Sequence, residues 1–210
     1  MQPVRWQERY VSKLKTAQAA LKAISPGDRI FVGSGAASPQ LLVGEMTRRA
    51  EDFVDTEIVH IMTLGAAPYI ERQFRHRFRH NAFFVGSNVR SAVAEGHADY
   101  TPIFLSEIPE LFRRRRFRPD VALIHVTPPN RHGFCSFGVS VDIVKPAAEN
   151  AGIVVAEINP HMPWTLGDSF IHVDQLDILV EHDEPLPELR YPEPNQVARK
   201  IAENVAGLIE

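Results

Sequence analysis

The sequence predicts an α/β protein with an open, largely parallel sheet flanked by helices. Three observations carry that prediction. Strand-length apolar runs alternate with helical patterns along the whole chain. Several of the runs, above all Val121-Ala122-Leu123-Ile124-His125-Val126, are apolar nearly throughout, as strands covered on both faces are. The first run, Arg29 to Val32, leads directly into Gly33-Ser34-Gly35-Ala36-Ala37 and then Ser38-Pro39-Gln40. That order reads as a strand, a small-residue turn and a helix start, with Ser38 at the N-cap and Pro39 in the first helical position.

The remaining elements follow in order. Residues Trp6 to Ile24 place Tyr10, Leu14, Ala17, Leu21 and Ile24 on one helical face, and Ser25-Pro26-Gly27-Asp28 ends that helix. After the first strand, a helix to about Ala50 turns Leu41, Leu42 and Met46 inward. Glu57 to Met62 is the second strand, followed by Thr63-Leu64-Gly65-Ala66-Ala67-Pro68. Ala82 to Val85 is the third, followed by Gly86-Ser87-Asn88 and a short helix from Val89 to about Glu95. Ser106 reads as the N-cap of a helix reaching Arg116. Beyond the strand Val121–Val126 come the loop Thr127–Gly133, a helix from Asp142 to Ala151 blemished by Pro146, and a fifth strand from Ile153 to Ile158. A weaker strand spans Leu176 to Val180, and His182 to Pro194 is a proline-rich, extended crossing. The last helix begins near Asn195 with Val197, Ile201, Val205 and Leu208 as its inner face. Residues 1–182 thus form one α/β domain, and residues 183–210 a crossing and terminal helix.

Composition narrows the function. The 210 residues are 44% hydrophobic and 23% charged, enough for a full core. A net charge of −3 argues against a general nucleic-acid binder. The single cysteine, Cys135, excludes a disulfide framework and a cysteine-rich zinc site, and a reducing, cytoplasmic setting follows from it. No apolar run approaches the ~20 residues that span a bilayer, and Met1-Gln2-Pro3-Val4-Arg5-Trp6 lacks the apolar centre of a signal peptide.

Four strands end in turns that converge on one edge of a parallel sheet, where ligands dock. These turns are Gly33–Ala37, Gly65–Pro68, Gly86–Arg90 and Glu157–Asn159. Gly33, Ser34 and Gly35 put almost no side chain in the way of an approaching group, and the helix start beyond them offers N–H groups to an anion. Ala66 and Pro68 belong to the second turn. Asn88 and Arg90 add an amide and a cation, and Glu157 and Asn159 a carboxylate and an amide. Each has a structural alternative: a tight turn at Gly33, a turn former at Asn88, a solvated helix residue at Arg90 and a structural hydrogen bond at Glu157. The glycines of Gly33–Ser38 number two where a dinucleotide fingerprint needs three, and no Gly-Lys-Ser/Thr phosphate loop occurs. The nine histidines form no ligand pattern: His60 and His125 lie inside apolar strands, and His76 and His80 lie among arginines that repel a divalent ion. The run Arg113–Arg116 suits a helix C-terminus. Cys135, between Phe134 and Phe137, reads as a buried, inert thiol.

Taken together, six stretches resemble one family. They are Pro26–Gly35, Phe83–Arg90, Ala98–Pro109, Pro128–Ser136, Ala156–Pro163 and Leu166–His172, in the family's order and over nearly the whole chain. The family is the acetyl-CoA hydrolases and transferases, which includes 4-hydroxybutyrate CoA-transferase, and the resemblance is to its N-terminal half. It implies an enzyme of two α/β halves with the active site between them, acting on an acyl-CoA and a small carboxylic acid. It implies a homo-oligomer, a coenzyme A thioester as substrate and no permanently bound cofactor. In the family a glutamate carboxylate attacks the thioester and passes through a glutamyl-CoA thioester. That glutamate and the glycine-rich stretch before it belong to the C-terminal half, past Glu210. The resemblance therefore gives no catalytic role to Glu157, Glu107 or Glu95. What it leaves to this chain is a wall of the acid side of the cleft, with Asn88 and Arg90 as carboxylate holders. A hydrolase using water as acceptor, and a binding subunit completed by a partner chain, are the alternatives.

Overall fold

The computed structural model describes residues 5–114, 117–188 and 192–209. Arg115 and Arg116 of the arginine run, Met1 to Val4, Glu210 and residues 189–191 of the crossing lie outside them. Seven strands form one parallel sheet: β1 (Arg29–Val32), β2 (Thr56–His60), β3 (Phe78–Ala82), β4 (Ala98–Tyr100), β5 (Val121–Val126), β7 (Ile153–Ile158) and β9 (Ile178–Glu181). Their order is β4-β3-β2-β1-β5-β7-β9. Two short strands, β6 (Phe134–Ser136) and β8 (Phe170–His172), pair antiparallel beside it. The helices are α1 (Trp6–Lys13), α2 (Ala17–Ala20), α3 (Gln40–Arg48), α4 (Arg90–Ala94), α5 (Ile108–Arg113), α6 (Val144–Asn150) and α7 (Gln196–Ala206).

Alternate residues of the central strands feed two cores. Phe31, Ala122, Ile124 and Val126 point to one face, with Phe112 of α5 and Val144 and Ala147 of α6. Ile30, Val32, Val121 and Leu123 point to the other, with Leu42, Val43 and Met46 of α3. A sheet buried on both faces explains why β5 and β7 are apolar but for His125 and Glu157. Cys135 lies fully buried in the first core, and burial pushes its thiol up to about 12. No helix among the described residues is long and apolar enough to cross a membrane.

Several boundaries depart from the sequence reading. The first helix is broken: Trp6, Tyr10 and Leu14 pack on the first core, whereas Ala17, Ala20 and Leu21 join the second. Between them Leu14 bridges Leu179 of β9, and the Lys15 N–H donates to the Leu179 carbonyl at 2.8 Å. The chain thus crosses from one sheet face to the other around the β9 edge, and Thr16 caps the new helix. Strand β3 lies four residues earlier than expected. It pairs His80 with Ile58 in register, Phe83 turns into the core just past it, and Phe84 faces outward. Short β4, β6 and β8 carry no long apolar signal. Helix α3 starts at Gln40 with Pro39, not Ser38, at its N-cap. A 3-10 turn, Leu105–Glu107, takes Ser106 and delays α5 to Ile108. Pro146 falls in the first turn of α6, where it is tolerated.

Helix α7 is capped as expected, the Asn195 side chain accepting the Ala198 N–H at 2.9 Å. Its apolar face is not an inner one: Val197, Ile201, Val205 and Leu208 are all exposed. The chain is expected to self-associate through this stripe. Light scattering should show a mass above the monomer that falls when Ile201→Glu is introduced. A clean monomer at high concentration would refute this.

Candidate functional site

The chain runs outward from β1 to β4, then returns to place β5 on the other side of β1. The order reverses between β1 and β5, so the crevice beyond their carboxyl ends is the expected ligand site. The turn Gly33–Ser38 lies there. The Gly33 N–H donates to the Leu123 carbonyl at 2.9 Å, and a Cβ at Gly33 would come within 2.9 Å of the Ala37 carbonyl oxygen. Gly35 adopts φ +58° and donates its N–H to the Met62 carbonyl at 2.7 Å, while the Leu64 N–H returns to the Gly35 carbonyl at 3.2 Å. The turn after β1 is thereby zipped to the turn after β2. The third turn joins them, because the Asn88 amide donates to Thr63 Oγ1 at 2.9 Å and to the Thr63 carbonyl at 3.3 Å. Ser34 Oγ donates to Asp142 Oδ1 at 3.2 Å, and Asp142 also accepts the Val144 N–H at the start of α6. The turns bearing Gly33, Ser34, Gly35 and Asn88 are thereby joined, Ala66 is tied to them by the Gln40 side chain, which accepts the Ala66 N–H and donates to Ser38, and Pro68 opens the 3-10 turn Pro68–Ile70 beyond. Arg90 is exposed at the start of α4 and makes no ion pair among the described residues.

Glu157 and Asn159 belong to a second group, on the other side of the α3 N-terminus. Glu157 is 1% exposed. Its Oε2 accepts the Leu42 N–H at 3.3 Å, so a carboxylate from β7 takes up an N–H in the first turn of a helix that has no side-chain cap of its own. The anion expected at this helix start is thus supplied from within the chain. Oε1 meets His182 Nδ1 at 3.0 Å, and His182 Nε2 meets Glu184 Oε2 at 3.1 Å. Asn159 donates to the Glu184 carbonyl at 2.7 Å, and its Oδ1 accepts the His161 N–H at 2.9 Å. These contacts fasten the extended segment after β9 to the sheet edge. Between segment and sheet lies a cavity of about 230 Å³ lined by Ser38, Gln40, His125, Glu157, Asn159, His182 and residues 184–187.

Burial raises the pKa of Glu157, with His182 and the Leu42 N–H offsetting it in part. His125, in register with Glu157 and 3.9 Å from it, is pushed down to about 4 by burial and then by the His182 charge. Neither of its ring nitrogens makes a well-formed hydrogen bond, and the nearby Ser38 backbone offsets the burial only partly. His60 and His80 stack at 4.3 Å below the second turn, beside buried Tyr69. Burial drives His60 well below the usual imidazole range, and His80 down to about 4.

The sequence reading missed Gln40, Thr63, Asp142, His125, His182 and Glu184. Aligning β5 with β7 would have placed His125 opposite Glu157, and the position of His182 directly after a strand end was a second signal. Asp142 precedes a helix, as capping residues do. Gln40 carried no signal beyond lying at a helix start, and Thr63 none beyond opening a small-residue turn.

Residues 1–189 match the acetyl-CoA hydrolase/transferase N-terminal domain. The chain belongs to the acetyl-CoA hydrolase/transferase family. It is 45% identical over 207 residues to the 4-hydroxybutyrate coenzyme A transferase of Clostridium kluyveri, covering 99% of this chain and 48% of that protein. It is 41% identical over 190 residues to the succinyl-CoA:acetate/propanoyl-CoA:succinate CoA transferase of Fasciola hepatica, covering 89% and 39%. Among solved structures, RipA from Yersinia pestis superposes with a TM-score of 0.91 at 25% identity, over 99% of this chain and 50% of that one. The chain spans about half the length of the curated relatives it matches.

Proposed function

We propose that this chain is the N-terminal domain of a CoA-transferase that moves CoA between an acyl-CoA, such as acetyl-CoA, and a small carboxylic acid such as 4-hydroxybutyrate. The observation that carries this reading is the rim of three linked small-residue turns at the switch point of the sheet, in a chain this similar to named CoA transferases. Residues 1–182 make the domain, and residues 183–210 lead toward a C-terminal domain that carries the nucleophilic glutamate. That carboxylate attacks the thioester carbonyl and expels CoA thiolate, leaving an acyl-glutamyl anhydride. The thiolate then attacks the glutamyl carbonyl, releases the first acid and forms the glutamyl-CoA thioester, and the second acid reverses the sequence. The rim of this chain walls the acid side. Gly33, Ser34, Gly35, Ala66 and Pro68 keep the approach open, Arg90 supplies the cation for the carboxylate, and Asn88 holds its turn in place. Glu157 and Asn159 shape the floor behind the α3 N-terminus. A reducing, cytoplasmic setting and a homo-oligomer complete the reading.

The test is to mix this chain with the separately produced C-terminal half of the Clostridium kluyveri relative and supply acetyl-CoA and 4-hydroxybutyrate. Acid-dependent CoA transfer with ping-pong kinetics, lost when either chain is omitted, is expected. Arg90→Met should raise KM for the acid about tenfold with little change for acetyl-CoA. Thioester consumption that is indifferent to added acid would make the protein a hydrolase, and transfer by this chain without its complement would move the nucleophile into it.

A further inference from the structure

Gln40 occupies the first position of α3, between the rim and the cavity beneath the extended segment. Its Oε1 accepts the Ala66 N–H at 3.0 Å, and its Nε2 donates to Ser38 Oγ at 3.0 Å. One carboxamide therefore ties the turn after β2 to the turn after β1, at a point where Ala66 has no strand partner to hold it. Gly65 shows that the fit is close. A Cβ there would lie 2.2–2.3 Å from the carboxamide atoms of Gln40, which are its three nearest neighbours. Gly65 does not have a positive φ, so its backbone would accept alanine. The glycine is needed because Gln40 lies across it.

We infer that Gln40 is a positioning residue for the acid side of the cleft: its carboxamide, passing over Gly65, sets the placement of the Gly65–Pro68 turn against the Gly33–Ser38 turn. This rests on the function proposed above, in which both turns wall the acid. Gln40→Met keeps the bulk and loses both hydrogen bonds. Gly65→Ala keeps Gln40 but drives its carboxamide off Ala66. Both are expected to raise KM for the carboxylic acid about tenfold in the two-chain assay, with KM for acetyl-CoA and the melting temperature nearly unchanged. Adding Gly65→Ala to Gln40→Ala should cost nothing further, because the obstruction has gone.

Exchange of the Ala66 amide, followed by NMR on this chain, gives a readout independent of activity. It should quicken about tenfold in Gln40→Met and Gly65→Ala. Transfer by the unaltered pair with wild-type acid KM in both variants would overturn the inference, as would an unchanged Ala66 exchange rate. Absence of transfer by the unaltered pair would tell against the proposed function, and the Ala66 exchange would then still decide the role of Gln40.

Discussion

Glu157→Ala is expected to destabilise the chain by about 3 kcal/mol, lowering its melting temperature by about 6–12 °C. Removing the carboxylate strands the Leu42 N–H in the first turn of α3 and takes away the anchor of His182. The Leu42 N–H is buried and regains no water, His182 is only partly exposed, and the lost side chain leaves a void. Glu157→Gln should behave differently. It keeps the shape and an oxygen for one of the two contacts. It also removes a charge that burial already disfavours, as the raised pKa of Glu157 shows. Its cost should be about 1 kcal/mol or less. Urea melts of the two variants measure the contrast. Equal losses for alanine and glutamine would mean that the charge itself is what matters, and no loss for alanine would remove Glu157 from the architecture.

Acid should unfold this protein well before its ion pairs are protonated. His60, His80 and His125 all bind protons more weakly in the folded chain than in the unfolded one. The unfolded chain therefore takes up more protons between pH 6.5 and about 4, and stability falls as pH drops through that window. For His80 and His125 the penalty is on the order of 3 kcal/mol each by pH 4, a large part of a typical total of about 5–15. Glu157 works the other way: its folded pKa is raised, so its contribution declines as pH rises from the usual carboxylate range upward. One carboxyl opposes three imidazoles, and the imidazoles set the net slope. The measurement is urea stability at pH 7.5 and pH 5. His60→Phe keeps the stacking on His80 and is expected to flatten the slope by roughly a third. A stability that is level across the window would sink this account.

How far the sequence could be read depended on how much of an element's signal was its own. The strands β1, β2, β5 and β7 announced themselves because a strand covered on two faces is mostly apolar, even where it carries a buried His125 or Glu157. Strand β3 did not, because Arg79 pairs outward with Asp99 and His80 turns inward to the Ile58 carbonyl at 3.0 Å. Both are contacts with neighbouring strands that no local window contains. The helix starts at Ser38 and Ser106 were misplaced for a related reason. Local capping chemistry pointed to those serines, whereas α3 receives a carboxylate from a strand more than a hundred residues away. The rim residues were legible as small-residue turns after strands. That Gly35, Ala66 and Asn88 are laced together through Met62, Thr63 and Gln40 was not, since these contacts join residues of different turns.

The central place of the first strand has a consequence for how the chain is made. One edge of β1 pairs with β2 within about thirty residues, but its other edge waits for β5, with Ile30 opposite Val121 about ninety residues later. A ribosome adding about 5–20 residues per second leaves that edge open for several seconds, with the backbone of Ile30, Phe31 and Val32 unpaired along it. During that interval the nascent chain offers a bare β template, since α3 packs on the sheet face and leaves that backbone edge open. The same strand that frames the crevice at the switch point of the finished sheet thus stays open to misassembly during synthesis.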